Sequence, residues 1–422
     1  MTALCTNEMM PDHLTAVLSF SRIPRDRRVL RQCDLLAQMG DRPLVIGYGG
    51  ASDEIGHEFR RWPVPQPTVS HRVSTVLRQG TAYLGLWAAK LGFWAEPRHR
   101  WALQELRKSS VRLVIANDWP ALIVAQRWKA EIGGIVHYDT HEFATLEFDE
   151  NLSWRLIYKR FVTLLEASAI GAADTVSTVG PRLADALQAH YGLAARPLVI
   201  RNIPNQIKLP APTPPHWPLR LLYHGQVLPD RGLEALLDSI PFWNTAHRVT
   251  IRGDGDANYL SDLKRRVSAL PAGRVIFEAA VPPDDVMPLA AASADLGVHF
   301  TPLETKQRHF SLPNKLFEYI GSGLAVAVSP GADLRQIVEG YGLGIVSRDA
   351  SARAVADAIN SLDVAQVAVY RDKARVAAAE LCWEHERHIL RENLEQLLGD
   401  ALNSARAGTL PGPADHHDLR RA

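Results

Sequence analysis

Apolar residues in this chain come in two arrangements that alternate. LTAVLSF (14–20), PLVIGYG (43–49), VRLVIAND (111–118), GIVHYDTHE (134–142), ADTVSTVG (173–180) and PLVIRN (197–202) are short, nearly continuous apolar runs. Runs of that length, bounded by turn residues, read as buried strands. RVLRQCDLLAQMG (28–40) and PRLADALQAHYG (181–192) instead space their apolar residues three and four apart and end in glycine. The second also opens on proline, so both read as helices with their stop signals. Strands that alternate with helices predict a parallel, doubly wound sheet.

The pattern breaks once and restarts. IPNQIKLPAPTPPHWP (203–218) is proline-rich and carries no period, which predicts a linker or irregular hinge. After it, LRLLYHG (219–225), HRVTIRGDGD (247–256), RVIFEAAV (274–281), ADLGVHF (294–300) and LAVAVS (324–329) read as strands. GLEALLDSI (232–240) and NYLSDLKRRVSAL (258–270) read as helices between them. The expected organisation is a first α/β domain over 1–202, a hinge over 203–218 and a second α/β domain over 219–364. One or two C-terminal helices follow over 365–400, packing back on the first domain, and then a disordered tail over 401–422 that has little to bury.

Composition narrows the partners. At 422 residues and 46% hydrophobic content the chain can fill large cores, and a formal net charge of +1 gives no global reason to bind nucleic acid. Cys5, Cys33 and Cys382 are too scattered for a disulfide framework or a metal knuckle, which fits a reducing compartment. The first residues, MTALCTNEMMPDHL, lack the build of a signal peptide. No apolar run reaches the roughly 20 residues of a spanning helix. A cytoplasmic protein is expected, peripheral on the inner face of the membrane at most.

Candidate chemistry gathers at predicted strand ends, outside which open α/β sheets bind ligands. Two such halves across a hinge place the default site in a cleft between them. In SLPNKLFEYIGSG (311–323) a proline-led helix start carries Lys315, and Glu318 lies three residues on, on the same face. Arg231 precedes the helix predicted from Gly232. Helix N-termini favour anions. Lys315, Arg231 and two helix starts therefore suggest a diphosphate clamp, with Glu318 as acceptor for a vicinal diol such as a ribose. Residue types alone favour blander readings: a surface pair for Lys315 and Glu318, a solvated Arg231, a plain turn at GDGD and a core histidine at His141. No Ser–His–Asp order, metal spacing or Gly-x-Gly-x-x-Gly fingerprint is present, and the first βα turn, SFSRIPRDRRV (19–29), has no glycine.

Taken in order, the motifs resemble those of the retaining, group-1 (family four) glycosyltransferases. The matching stretches in the second half are YHGQVLPDRGLEALL (223–237), IRGDGD (251–256), ADLGVHFTP (294–302) and SLPNKLFEYIGSGLAVAVS (311–329), the last being the most specific. The first half adds RDRRVLRQCDLLAQMG (25–40), HYDTHEF (137–143), ADTVSTVGPRLADALQAHYG (173–192) and VIRNIPN (199–205). The resemblance runs over most of residues 14–390. It implies the GT-B fold, two Rossmann-like doubly wound domains facing across a cleft, with a nucleotide-sugar donor between them.

The resemblance also implies roles. Glu318 corresponds to the family glutamate that bonds the ribose hydroxyls, Arg231 to a diphosphate-binding cation, and His141 to the histidine that approaches the donor sugar. The backbone of Ala280 and Val281, up to Pro282, lies where the base is often held. His141, Arg231 and Lys315 are the expected catalytic residues; Gly225, Gln226, Gly253, Ser311 and Asn314 complete the expected donor site. Two residues depart from the family pattern. Gln226 stands where many relatives have arginine, and Lys315 is expected to compensate. Phe310 stands where many have a glutamate eight residues before Glu318, although the PNK subgroup commonly lacks it.

The implied reaction retains the anomeric configuration. The leaving phosphate oxygen takes the acceptor proton while the site stabilises the diphosphate. No cofactor and no metal are expected, since cations and helix dipoles can serve. For the acceptor, a glycan or lipid-linked intermediate, the sequence offers residues 71–108, with seven Lys/Arg and two Glu. There Tyr83, Leu84, Leu86, Trp87, Leu91 and Trp94 give an apolar side with basic flanks, as in an interfacial helix near anionic lipid; a helix packed on its own sheet fits equally. Two other classes remain: a catalytically decayed GT-B protein that binds nucleotide sugar or scaffolds, for which Gln226 and Phe310 speak, and a sugar-nucleotide epimerase, which would need further acid–base residues.

Overall fold

The computed structural model describes residues 14–64 and 69–406. They form two compact units. The first holds residues up to 179, 183–200 and the chain from 389; the second holds 180–182 and 201–388. Each unit is an α/β domain with one fully parallel sheet.

The first sheet comprises β1 (Leu14–Arg22), β2 (Arg42–Tyr48), β3 (Glu58–Trp62), β4 (Val111–Asn117), β5 (Ile135–Thr140), β6 (Thr175–Thr178) and β7 (Leu198–Val199). Its order is β3-β2-β1-β4-β5-β6-β7. The second comprises β8 (Arg220–His224), β9 (Arg248–Arg252), β10 (Val275–Glu278), β11 (Leu296–His299), β12 (Ala325–Val328) and β13 (Gly344–Val346), in the order β10-β9-β8-β11-β12-β13. The strand order reverses between β1 and β4 and again between β8 and β11. At such reversals the loops diverge and leave a crevice beyond the strand ends. Both units are therefore Rossmann-like and doubly wound, as expected.

Burial on both faces explains the continuous apolar runs. In the second sheet Leu221, Tyr223, Ala325 and Ala327 enter one core, while Leu222, Val326 and Val328 enter a second core on the opposite face. Helix Asn314–Gly321 belongs to the second of these through Leu316, Phe317, Tyr319 and Ile320.

The structure departs from the expected elements in four places. β3, EFRRW, is a half-exposed edge strand whose polar residues hid it from an apolar-run reading. Residues 71–108 are three helices, Val69–Gly80, Leu86–Trp94 and Pro97–Lys108, rather than one interfacial helix; Gly85, at φ +101°, and Pro97 mark the breaks. Residues 203–217 carry no helix or strand, yet Ile203 is fully buried and Pro204 O accepts from Trp383 N at 3.0 Å. They are fastened to the second unit by packing, which a missing period does not report. The C-terminal helices are Val364–Ala377 and Trp383–Arg406. Residues 401–406, expected in the tail, are the end of the second helix, and 407–422 lie outside the described residues.

Candidate functional site

In the second unit the ends of β8 and β11 meet the start of helix Asn314–Gly321. That helix lies unusually close to the sheet because β11 contains Gly297. A Cβ there would stand 2.2 Å from Tyr319 Cγ, so only glycine admits the ring. Tyr319 then reaches across two strands. Its hydroxyl donates to Val298 O at 3.3 Å and accepts from His224 N at 3.2 Å, and its ring stacks on the His224 imidazole at 4.6 Å. These contacts fix where the two charged residues on the preceding turn and the same turn must point.

Lys315 and Glu318 do not form the surface pair their spacing allows. Lys315 Nζ sits 3.7 Å from the centre of the Tyr223 ring, a cation–π contact. Glu318 Oε2 lies 2.9 Å from His224 Nε2, although neither ring nitrogen forms a hydrogen bond of good geometry. Consecutive residues at the end of β8 thus receive residues three apart on the helix. A Cβ on Gly225 would stand 3.6 Å from Lys315 Nζ, which puts the ammonium against bare backbone where a ligand can approach.

The electrostatics around Lys315 favour an anion. Burial, reinforced by Arg231 and partly opposed by Glu318, pulls the Lys315 ammonium down to about 7. Burial, then Lys315 and Arg231, hold the neighbouring His299 imidazole well below its ordinary value; it is neutral, with Thr301 Oγ1 3.0 Å from its Nε2. The two cations repel one another here and keep the histidine neutral, an arrangement that a multiply charged anion relieves.

The loops after β8, β9 and β10 are laced together beside this cluster. Gly225 N donates to Arg252 O and Gly253 N to Glu278 O, each at 3.0 Å. Gly253, at φ +156°, would drive a Cβ to 1.8 Å from Gly225 O. Ala280 N donates to Asp254 Oδ1 at 3.2 Å, and half-buried Val281 follows it. Gly225, Gly253, Ala280 and Val281 therefore fall in one layer with Lys315. Gln226 is exposed and contributes its carbonyl, which accepts from Tyr223 Oη at 2.7 Å. Arg231 is exposed. Half-buried Ser311 and exposed Asn314 flank the helix start, which no side chain caps. The second helix start is weaker than expected: helix Leu233–Ser239 is only seven residues long and carries Glu234 in its first turn, which opposes an anion.

In the first unit His141 follows β5, beside the strand reversal. Its Nδ1 lies 3.6 Å from Asp118 Oδ2 and its Nε2 3.5 Å from Asp139 Oδ2. Burial works against its charge, but the two carboxylates prevail and raise it to about 9. It is an imidazolium at neutral pH, a donor rather than a base. Asp139 is itself locked. Buried Arg28 grips both its oxygens at 2.6 Å, Gln32 Nε2 donates at 2.7 Å and Ser177 Oγ at 2.6 Å. Thus His141 is neither a core histidine nor free. Tyr223 and His299 beside Lys315, and Asp118, Asp139 and Arg28 around His141, are neighbours that the chain's spacing did not announce, whereas His224 already stood out at the end of a predicted strand.

Residues 218–363 match the family model described as glycosyl transferases, group 1. That span holds the Lys315 cluster. No curated protein matches the chain in sequence. Among solved structures, HepE of Anabaena in complex with UDP-glucose is 16% identical, with a TM-score of 0.66 over 91% of this chain and 99% of that one. Sucrose-phosphate synthase of Thermosynechococcus elongatus is 16% identical, with a TM-score of 0.70 over 92% and 100%. WaaG, a glycosyltransferase involved in lipopolysaccharide biosynthesis, is 14% identical, with a TM-score of 0.61 over 89% and 99%. At these identities the likeness establishes the fold, two parallel-sheet domains of the GT-B kind.

Proposed function

We propose that this protein is a retaining glycosyltransferase that moves a sugar from a nucleotide-sugar donor to a glycan or lipid-linked acceptor. The observation that carries the reading is Lys315: a lysine pulled to about 7 beside Arg231, against the bare backbone of Gly225, within the span that matches the group 1 glycosyl transferases. A diphosphate relieves that repulsion. Lys315 and Arg231 hold it, and the uncapped start of helix Asn314–Gly321 adds its N–H groups. Glu318, three residues along, accepts from the ribose hydroxyls, with His224 already orienting its carboxylate. The loop at Ala280 and Val281 takes the base.

The chemistry follows from differential stabilisation. As the glycosidic bond to phosphate breaks, negative charge grows on the diphosphate, and the two cations stabilise it more in the transition state than before. The departing oxygen accepts the acceptor's proton on the same face, which retains configuration without a protein nucleophile. His141, held charged by Asp118 and Asp139, donates to the donor sugar. The cations do the work a metal would do, so no metal or other cofactor enters the proposal. HepE, bound to UDP-glucose, makes UDP-sugars the first donors to try. We place the protein in the cytoplasm, peripheral on the inner face of the membrane where a lipid-linked acceptor would lie.

Thermal denaturation with UDP-, GDP-, ADP- and dTDP-sugars tests the reading. A ligand that binds only the folded protein raises the midpoint, by about 2.7 kcal/mol of stability at a hundredfold excess over Kd. One nucleotide class should do so; no shift with any of them at millimolar concentration would defeat the proposal.

A further inference from the structure

The first unit leaves an unusual amount of apolar surface uncovered in one region. Among the described residues, eight exposed large hydrophobic side chains fall between residues 73 and 91, and three more between 148 and 156. Leu84 is 82% exposed, Trp87 75% and Leu77 69%. Scattered exposed leucines need no explanation, but a contiguous group marks a binding surface. The two stretches are adjacent: Tyr83 Oη donates to Leu156 O, and Arg160 Nε donates to Ala82 O at 3.0 Å. On helix Leu86–Trp94 the positions Trp87, Lys90, Leu91 and Trp94 share one face by their spacing, while Ala88, Ala89 and Phe93 are buried behind them. Leu152 and Leu156 repeat that exposure on the second stretch.

Charge on the surface decides what covers it. Lys90, Arg155 and Arg160 are exposed among these apolar residues; of the acids beside them Asp149 is paired with Lys159 at 2.6 Å and Glu150 is exposed, so cations predominate. Beyond Trp94 the surface runs into a concavity of about 290 Å³ lined by Trp94, Leu103, Gln104, Arg100, Arg107 and Arg127. Glu131 braces Arg107 and Arg127 at 2.7 and 2.6 Å; Arg100 is exposed. A second copy of the chain on a two-fold axis would set these cations against themselves, since such a contact uses the same patch on both partners. Anionic lipid meets both requirements: apolar side chains enter the acyl boundary, tryptophan and tyrosine sit at the headgroups, and the cations meet phosphate.

We infer that the surface formed by residues 73–94 and 148–160, with the arginine-lined concavity beside Trp94, docks the protein on an anionic bilayer. The inference deepens the proposed function, because it makes a membrane-borne acceptor the natural one. It rests on that reading only for this consequence; the docking itself needs no donor.

The test is co-sedimentation of the full chain with phosphatidylcholine vesicles, with and without about one-third phosphatidylglycerol, in low salt. The native protein should bind the anionic vesicles and release in high salt. Trp87→Glu with Leu91→Glu should abolish binding. Lys90→Gln with Arg155→Gln should weaken it about five-fold for each charge, on anionic vesicles alone. All four positions are exposed, and unchanged melting of the variants verifies their folding. Native protein that ignores anionic vesicles, or variants that bind as well as native, overturns the inference. So does a dimer in light scattering that the Trp87→Glu, Leu91→Glu variant abolishes while vesicle binding stays absent. The midpoint shift with whichever of the UDP-, GDP-, ADP- and dTDP-sugars binds should be the same in every variant. Vesicle binding without any such shift would sink the donor reading and leave the docking intact.

Discussion

Lys315 carries the most information of any single residue, because its charge is poised. In the folded protein burial and Arg231 hold it to about 7, whereas in an unfolded chain it titrates near 10.4. Folding with that lysine charged is costly. The cost is full below about pH 7 and fades as pH rises towards the ordinary lysine value, since the unfolded chain then binds the extra proton. A bound diphosphate reverses the balance by favouring the charged form. Nucleotide binding should therefore take up close to one proton at pH 8 and few at pH 6, and affinity should fall by up to about ten-fold per pH unit above 7. Calorimetry in buffers of different ionisation enthalpy reads the proton directly. Lys315→Met should abolish the uptake and gain stability at pH 6; uptake that persists in the variant assigns the proton elsewhere. The sequence made Lys315 and Glu318 legible through one helix start and Arg231 through another. It did not reveal that Lys315 faces Tyr223 and Glu318 faces His224, because those partners lie on a strand more than ninety residues earlier.

At the scale of elements, the site depends on how closely one helix approaches one sheet. Gly297 in β11 makes room for Tyr319, and Tyr319 ties helix Asn314–Gly321 to β8 and β11. Gly297→Ala places a methyl 2.2 Å from the base of that ring, an atom that cannot swing aside. The helix must back away, with an overpacking cost of about 1–3 kcal/mol. Lys315 and Glu318 move with it, so nucleotide-sugar affinity should drop beyond what the lost stability explains, in a titration at a temperature where the variant is folded. Unchanged affinity would mean that the helix, not its depth, is what matters. Strands buried on both faces were readable from their apolar runs for this same reason of close packing. β3 was not, because an edge strand need not be apolar. The breaks at Gly85 and Pro97 were written in the sequence but outweighed by continuous amphipathic spacing. The Arg28–Asp139 lock escaped because its partners are 111 residues apart, and no local period encodes such a pair.

At the scale of the whole molecule, two units with separate cores should answer separately to perturbation. The first core draws on β1, β2, β4 and β5, the others on the second sheet alone. Asp139 is buried in the first unit, where Arg28 relies on it. Asp139→Asn leaves the guanidinium buried without its counter-charge, which costs about 3–5 kcal/mol. For a unit of this size that lowers its melting by on the order of ten degrees. The donor, by contrast, is proposed to sit on the second unit, so it should raise the melting of that unit. Scanning calorimetry of native protein and Asp139→Asn, each with and without the nucleotide sugar that binds best, should resolve two endotherms. The substitution should lower one and the ligand raise the other; a departure from additivity would report the proposed contact of the donor sugar with His141, which Asp139 helps to hold. A single endotherm moved by both would show that the units unfold as one cooperative body. Two endotherms of which the ligand raises only the one lowered by Asp139→Asn would put the donor on the first unit, and with it remove Lys315 and Glu318 from the donor site.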